Sequence, residues 1–210
     1  GTLGKYAVTE VKGKSIAVID DRTAYGQGVA DEFEKGVAAA GGTVVGREFT
    51  TDKATDFTGI LTSLKAKKPD VVFFGGMDAV AGPMLKQMKQ LGINAKFMGG
   101  DGICSSELPK LAADGMADDQ VYCAEAGGVE GEQKEGMDKF RADFKAKFGA
   151  DVQVYAPYVY DAVKVMANAM VTAGSADPKV YLPALKATAY KGVTGNIAFD
   201  EKGDIKNGAL

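Results

Sequence analysis

The chain has 210 residues, 46% of them hydrophobic and 25% charged, with a net charge of -3 and no histidine. This is the composition of a globular protein able to bury a core in one or two domains. It excludes a histidine-based catalytic triad or zinc site. No apolar run approaches the ~18 residues of a membrane span, and no basic stripe is present for nucleic acid.

The first residues, "GTLGKYAVTEVKGK", lack the charged-then-apolar pattern of a signal peptide, so the protein is either cytoplasmic or has lost its signal. The unbroken apolar run "SIAVID" (15–20) predicts a strand buried on both faces. In "GVADEFEKGVAAAG" (28–41), Val29, Phe33, Val37 and Ala40 recur at helical spacing, and Gly41-Gly42 supplies a stop. A strand at 43–49, a helix at 56–68 and a strand at 71–76 follow. A helix at 81–92, a short strand and turn at 96–102, a short helix at 105–115 and a strand at 120–126 complete the alternation. Five strands with right-handed helical crossovers predict an α/β fold with a doubly wound parallel sheet.

From 131 the texture changes, because 131–148 and 155–174 read as two long helices with no strand between them. Residues 177–190 predict a further helix with Pro178 near its first turn, and 192–208 a strand with turns. No repeat or low-complexity tract is present.

Open α/β sheets bind ligands beyond the carboxyl ends of their strands. Those ends carry Asp20, Asp21 and Tyr25, then Gly75-Gly76-Met77-Asp78, then Gly99-Gly100-Asp101-Gly102, and finally Glu125. The glycines would admit a ligand close to the backbone, and the carboxylates would receive a cationic group. Taken singly, each end reads more readily as turn glycines and solvated acids, but three ends sharing the same chemistry shift the balance toward a site. A dinucleotide fingerprint at "GQGVAD" (26–31) fails, because Asp31 holds the third glycine position and the pyrophosphate would meet Asp20 and Asp21. A magnesium-binding phosphoacceptor domain would use Asp20, Asp21 and Asp78, yet the fifth strand ends in "CAEAGG" where that family needs a lysine. Paired-carboxylate catalysis by Asp21, Asp78, Asp101 and Glu125 has nothing to fix its spacing. The two cysteines, Cys104 and Cys123, leave a disulfide and a pair of buried thiols equally open.

The run "KSIAVIDDRTAYGQGVADEFEKGVAAAGG" and its continuation through "DVVFFGG" closely resemble the periplasmic Leu/Ile/Val-binding proteins. These are the type I substrate-binding components of branched-chain amino-acid ABC transporters. "KFMGGDGICSSELPKLAADGMADDQVYCAEAGG", "YAPYVYDAVKVMANAM" and "YKGVTGNIAFDEKGDIKNG" extend the likeness over essentially the whole chain. The resemblance implies two α/β lobes that close on an amino acid, with no cofactor and no enzymatic step. It assigns 1–122 to the second-lobe sheet, 123–128 to a hinge, 129–206 to the returning part of the first lobe, and 207–210 to the start of a third crossover.

On the same footing, Tyr25 falls at an aromatic wall of the ligand site and Asp101 at the acid that receives the ligand's amino group. Met77 falls at a position often filled by an aromatic contact, and Tyr155 at a further aromatic contact. A periplasmic setting implies a disulfide between Cys104, which follows the fourth strand, and Cys123, which lies in the neighbouring fifth. The resemblance further implies a periplasmic location, a transporter permease as partner of the intact receptor, and most of one lobe missing before Gly1, as in a fragment or engineered truncation. The donors for the ligand carboxylate belong largely to that lobe, so weak binding or none is expected. The apolar helix at 155–174 is expected to drive self-association, including exchange of elements between copies. The competing expectation is a flavodoxin-like structural domain that retains no ligand.

Overall fold

The computed structural model describes residues 1–125, 129, 133–206 and 208. It divides into two compact units, Gly1–Glu125 and Ala126–Leu210.

The first unit runs α1 (Thr2–Thr9), β1 (Ile16–Asp20), α2 (Ala24–Ala39), β2 (Val44–Phe49), α3 (Thr58–Lys65) and β3 (Val71–Gly75). It continues with α4 (Asp78–Gln90), β4 (Lys96–Gly99), a 3₁₀ turn at Asp101–Ile103, α5 (Leu108–Ala112) and β5 (Val121–Cys123). All five strands are parallel, in the order β2-β1-β3-β4-β5. This is the doubly wound, flavodoxin-like order.

Every residue of β1 and β3 is buried. Their unbroken apolar runs suit central strands covered on both faces, because alternate side chains enter opposite layers. Ile16, Val18, Val71 and Phe73 pack with Ala7 of α1 and Ala30, Phe33 and Val37 of α2. Phe33 stacks on Phe73 with ring centroids 4.0 Å apart. Ala17, Ile19, Val72 and Phe74 join Leu61, Leu64, Met84, Leu85 and Met88 on the other side, where Leu108 and Ala112 of α5 complete the layer.

Two helices begin earlier than the residue pattern predicts. Thr23 accepts the Gly26 N–H at 2.9 Å and so starts α2 at Ala24, ahead of the apolar periodicity that begins near Gly28. The helix α4 also starts ahead of its predicted bounds, at Asp78, with no side-chain cap from Met77. The helix α1 is an addition to the sequence reading, and its small residues explain its place. A Cβ on Gly4 would lie 2.1 Å from the Phe33 carbonyl oxygen, and one on Gly36 2.0 Å from that of Gly1. Only glycines let α1 and α2 approach this closely.

The second unit contains α6 (Gln133–Phe148), α7 (Ala156–Ala173), α8 (Pro178–Lys186) and an antiparallel pair, β6 (Ala189–Lys191) and β7 (Asn196–Ala198). Asp177 caps α8 by accepting the Lys179 N–H at 2.9 Å. The helix predicted over 177–190 therefore stops at Lys186, and its last residues enter a hairpin. Pairing with Asn196–Ala198 overrides local helical preference there. The first two residues of the helix predicted over 131–148, the second half of the hinge assigned to 123–128 and most of 207–210 lie outside the described residues.

Candidate functional site

In the first unit the chain leaves β1 toward β2 and leaves β3 toward β4, in opposite directions across the sheet. The crevice beyond the carboxyl ends of β1 and β3 is the topological switch point, where sheets of this order hold ligands. The loops after β1, β3 and β4 meet there.

The two acids that end β1 are committed to the scaffold. The fully buried Asp20 accepts two bonds from Arg47 at Oδ2, at 2.8 and 3.2 Å, and the Arg22 N–H at Oδ1 at 3.0 Å. Arg47 also contacts Asp31 at 2.7 Å and Glu34 at 3.2 Å. Burial works against its charge, but the bonds from Asp20 and Asp31 outweigh that and hold its pKa above the ordinary guanidinium value. Asp21 caps the following turn, accepting from the Thr23 N–H at 3.0 Å and the Thr23 hydroxyl at 2.6 Å. Neither carboxylate is turned to a ligand. The sequence reading missed Arg47 because its acid lies far away in the chain; the available signal was an arginine inside the apolar strand "VVGREF".

The strand-end glycines likewise serve the chain itself. A Cβ on Gly75 would come 2.2 Å from the Gly26 carbonyl oxygen, and one on Gly102 2.6 Å from that of Gly76. Bare α-carbons thus allow the three loops to interlock, and the interlock brings Tyr25, Met77 and Asp101 together. The Tyr25 hydroxyl donates to Asp101 Oδ1 at 2.8 Å and accepts the Gly102 N–H at 3.0 Å. The Met77 sulfur lies over Gly102, 2.8 Å from where a Cβ on that residue would stand. Met77 is 43% exposed, whereas Tyr25 and Asp101 are half-buried. A carboxylate, an aromatic ring and a thioether therefore share one rim. That set can receive a cation beside an apolar group.

Asp78 accepts the Ser105 hydroxyl and, at 2.8 Å, the Ala79 N–H at the start of α4. Glu125 is exposed. Among the described residues no group of three or more acids or cysteines is placed to hold a metal ion. Cys104 and Cys123 are joined by a disulfide with Cα atoms 5.6 Å apart, which ties the turn carrying Asp101 to the end of β5. Tyr155 precedes α7 in the second unit and is 43% exposed.

In that second unit Asp161 is a buried acid that the sequence reading did not single out. It accepts from the Val193 N–H at 3.1 Å, the Thr194 N–H at 2.8 Å and the Thr194 hydroxyl at 2.6 Å, and so fastens the β6–β7 turn to α7. An acid embedded in the apolar periodicity of "YVYDAVKV" was the visible signal.

Residues 1–208 match the family model described as periplasmic binding protein. The leucine-, isoleucine-, valine-, threonine- and alanine-binding protein of Pseudomonas aeruginosa is 35% identical over 204 residues, covering 97% of this chain and 54% of that protein. The Leu/Ile/Val-binding protein homolog 1 of Brucella abortus is 36% identical over 204 residues, with the same coverage of 97% and 54%. The chain thus spans about half the length of the curated relatives it matches. Among solved structures, the leucine-binding protein LivK of Thermotoga maritima superposes with a TM-score of 0.84 at 23% identity, over 97% of this chain and 58% of that one. At that identity the likeness is one of fold. With the family model spanning nearly all of it, the chain belongs to the periplasmic binding protein family.

Proposed function

We propose that the chain is part of an extracytoplasmic receptor that binds a branched-chain or other small aliphatic amino acid for an ABC importer. The first unit is read as one α/β lobe and the second as a segment of the other, joined by a crossover near Cys123. The observation that carries the reading is the Tyr25, Met77 and Asp101 rim at the switch point. A zwitterion needs an anionic acceptor for its ammonium, which Asp101 supplies, and an aliphatic side chain needs apolar walls, which Tyr25 and Met77 supply. The disulfide between Cys104 and Cys123 supports an oxidising compartment. The relatives' names point to the same ligand class.

The role is that of a binder, with the ligand leaving unchanged. Calorimetric titration with leucine, isoleucine, valine, alanine and aspartate tests it. The aliphatic amino acids are expected to bind and aspartate, whose side-chain carboxylate would be desolvated against the apolar walls, to be rejected. Equal uptake of aspartate and leucine, or no uptake of any of the five at millimolar concentration, would overturn the proposal.

A further inference from the structure

The "GGDG" turn after β4 is shaped around the hydroxyl group of Tyr25. That hydroxyl donates to Asp101 Oδ1 at 2.8 Å and accepts the Gly102 N–H at 3.0 Å. The α-carbons of Gly100 and Gly102 flank it. A Cβ on Gly100 would lie 2.8 Å from the Tyr25 oxygen, and one on Gly102 3.0 Å from it. Gly100 has φ -76 and ψ -165, a conformation open to any residue, so its backbone does not demand glycine. The space taken by the tyrosine oxygen does. At the other end of the ring, Tyr25 sits in the first turn of α2, anchored by the Thr23 cap on the Gly26 N–H.

We propose that Tyr25 is a positioning residue, whose hydroxyl fixes the Asp101 carboxylate in the orientation that receives a ligand ammonium. The proposal rests on the reading of Asp101 as the ammonium acceptor and goes beyond a wall role for the Tyr25 ring. A carboxylate at a loop tip turns about two side-chain torsions. The phenol links it to the amide of the next residue, so the side chain and its turn are held as one unit. A ligand then meets an acceptor already in place, and the entropy of ordering it is spent on folding instead of on binding.

Two variants remove the hydroxyl's hold by different routes. Tyr25→Phe deletes the oxygen and keeps the ring. Gly100→Ala keeps the oxygen but places a methyl against it, and since the far end of a side chain is what must move, the variant is expected to fold normally. By NMR, both variants should move the Gly102 amide resonance and convert the Asp101 χ1 couplings from one rotamer to an average. Leucine affinity should fall by about tenfold in each. In an Asp101→Asn background neither change should cost anything further, because a group that acts through Asp101 has nothing left to act on.

A single Asp101 rotamer retained in both variants would overturn the proposal. So would an affinity loss of undiminished size in the Asp101→Asn background. If the wild-type chain takes up no amino acid while the Asp101 couplings respond as described, the positioning role stands and the reading of the ligand fails.

Discussion

Asp161 shows what one side chain contributes when it is both buried and charged. It satisfies two backbone N–H groups and a hydroxyl in the β6–β7 turn, and it has 1% of its surface exposed. Truncation leaves those donors without their acceptor, at a cost of about 3 kcal/mol. Denaturant unfolding of Asp161→Ala should therefore show the second unit melting well before that of the wild type, with Asp161→Asn in between. Unchanged unfolding would mean that the turn is held by other contacts. The buried Asp20 is the same case in the first unit, held by Arg47. Composition identifies such acids as present, but only a partner supplied by the fold says whether they are structural or functional. For that reason Asp20 and Asp21 read in the sequence like ligand groups, and Asp161 read like an ordinary helix position. Asp101 was legible through the "GGDG" motif and its family likeness. Its bond to Tyr25, from a residue in the first turn of α2, was not.

At the scale of elements, the close crossing of α1 and α2 sets two effects against each other. Gly36→Ala gains about 1 kcal/mol of helix propensity. The new methyl, however, would stand 2.0 Å from the Gly1 carbonyl oxygen, a backbone atom that cannot yield without moving α1. The clash is expected to win, so hydrogen exchange should accelerate across Thr2–Thr9 while β1 and β3 stay protected. Protection of α1 equal to the wild type would contradict the crossing. The Cys104–Cys123 bond closes a loop with a sequence separation of 19. A loop of that length predicts about 3 kcal/mol of stabilisation, and the double serine variant should lose about that much in denaturant unfolding of the first unit. A loss near zero would remove the disulfide from the account of the turn that carries Asp101. The strands β1 and β3 were legible as unbroken apolar runs, and β2, β4 and β5 from their place between amphipathic segments. The helix α1 was not, since it is only eight residues long and carries Gly4 in its first turn. The end of α8 was misjudged because a hairpin partner lies beyond it.

For the whole molecule, the family is established and the ligand is the matter to test. Both faces of the first unit's sheet are covered by its own helices. In the second unit Val159, Val163 and Val171 are 57%, 62% and 81% exposed, beside half-exposed Tyr160 and Met166. Apolar surface of this kind favours contact with another copy. Sedimentation is accordingly expected to show the average mass rising with concentration. A monomer at every concentration, with no binding of a hydrophobic dye, would show that the surface is covered within the chain. The central claim, that Asp101 receives an ammonium group, is tested most directly by titrating the wild type and Asp101→Asn with leucine and with 4-methylpentanoate, which lacks only the ammonium. A charge-assisted pair is worth about 1.5–3 kcal/mol, so leucine should lose between about tenfold and a hundredfold in affinity on substitution, while 4-methylpentanoate should bind both proteins alike. Leucine binding that is equally tight to both proteins would contradict the assignment.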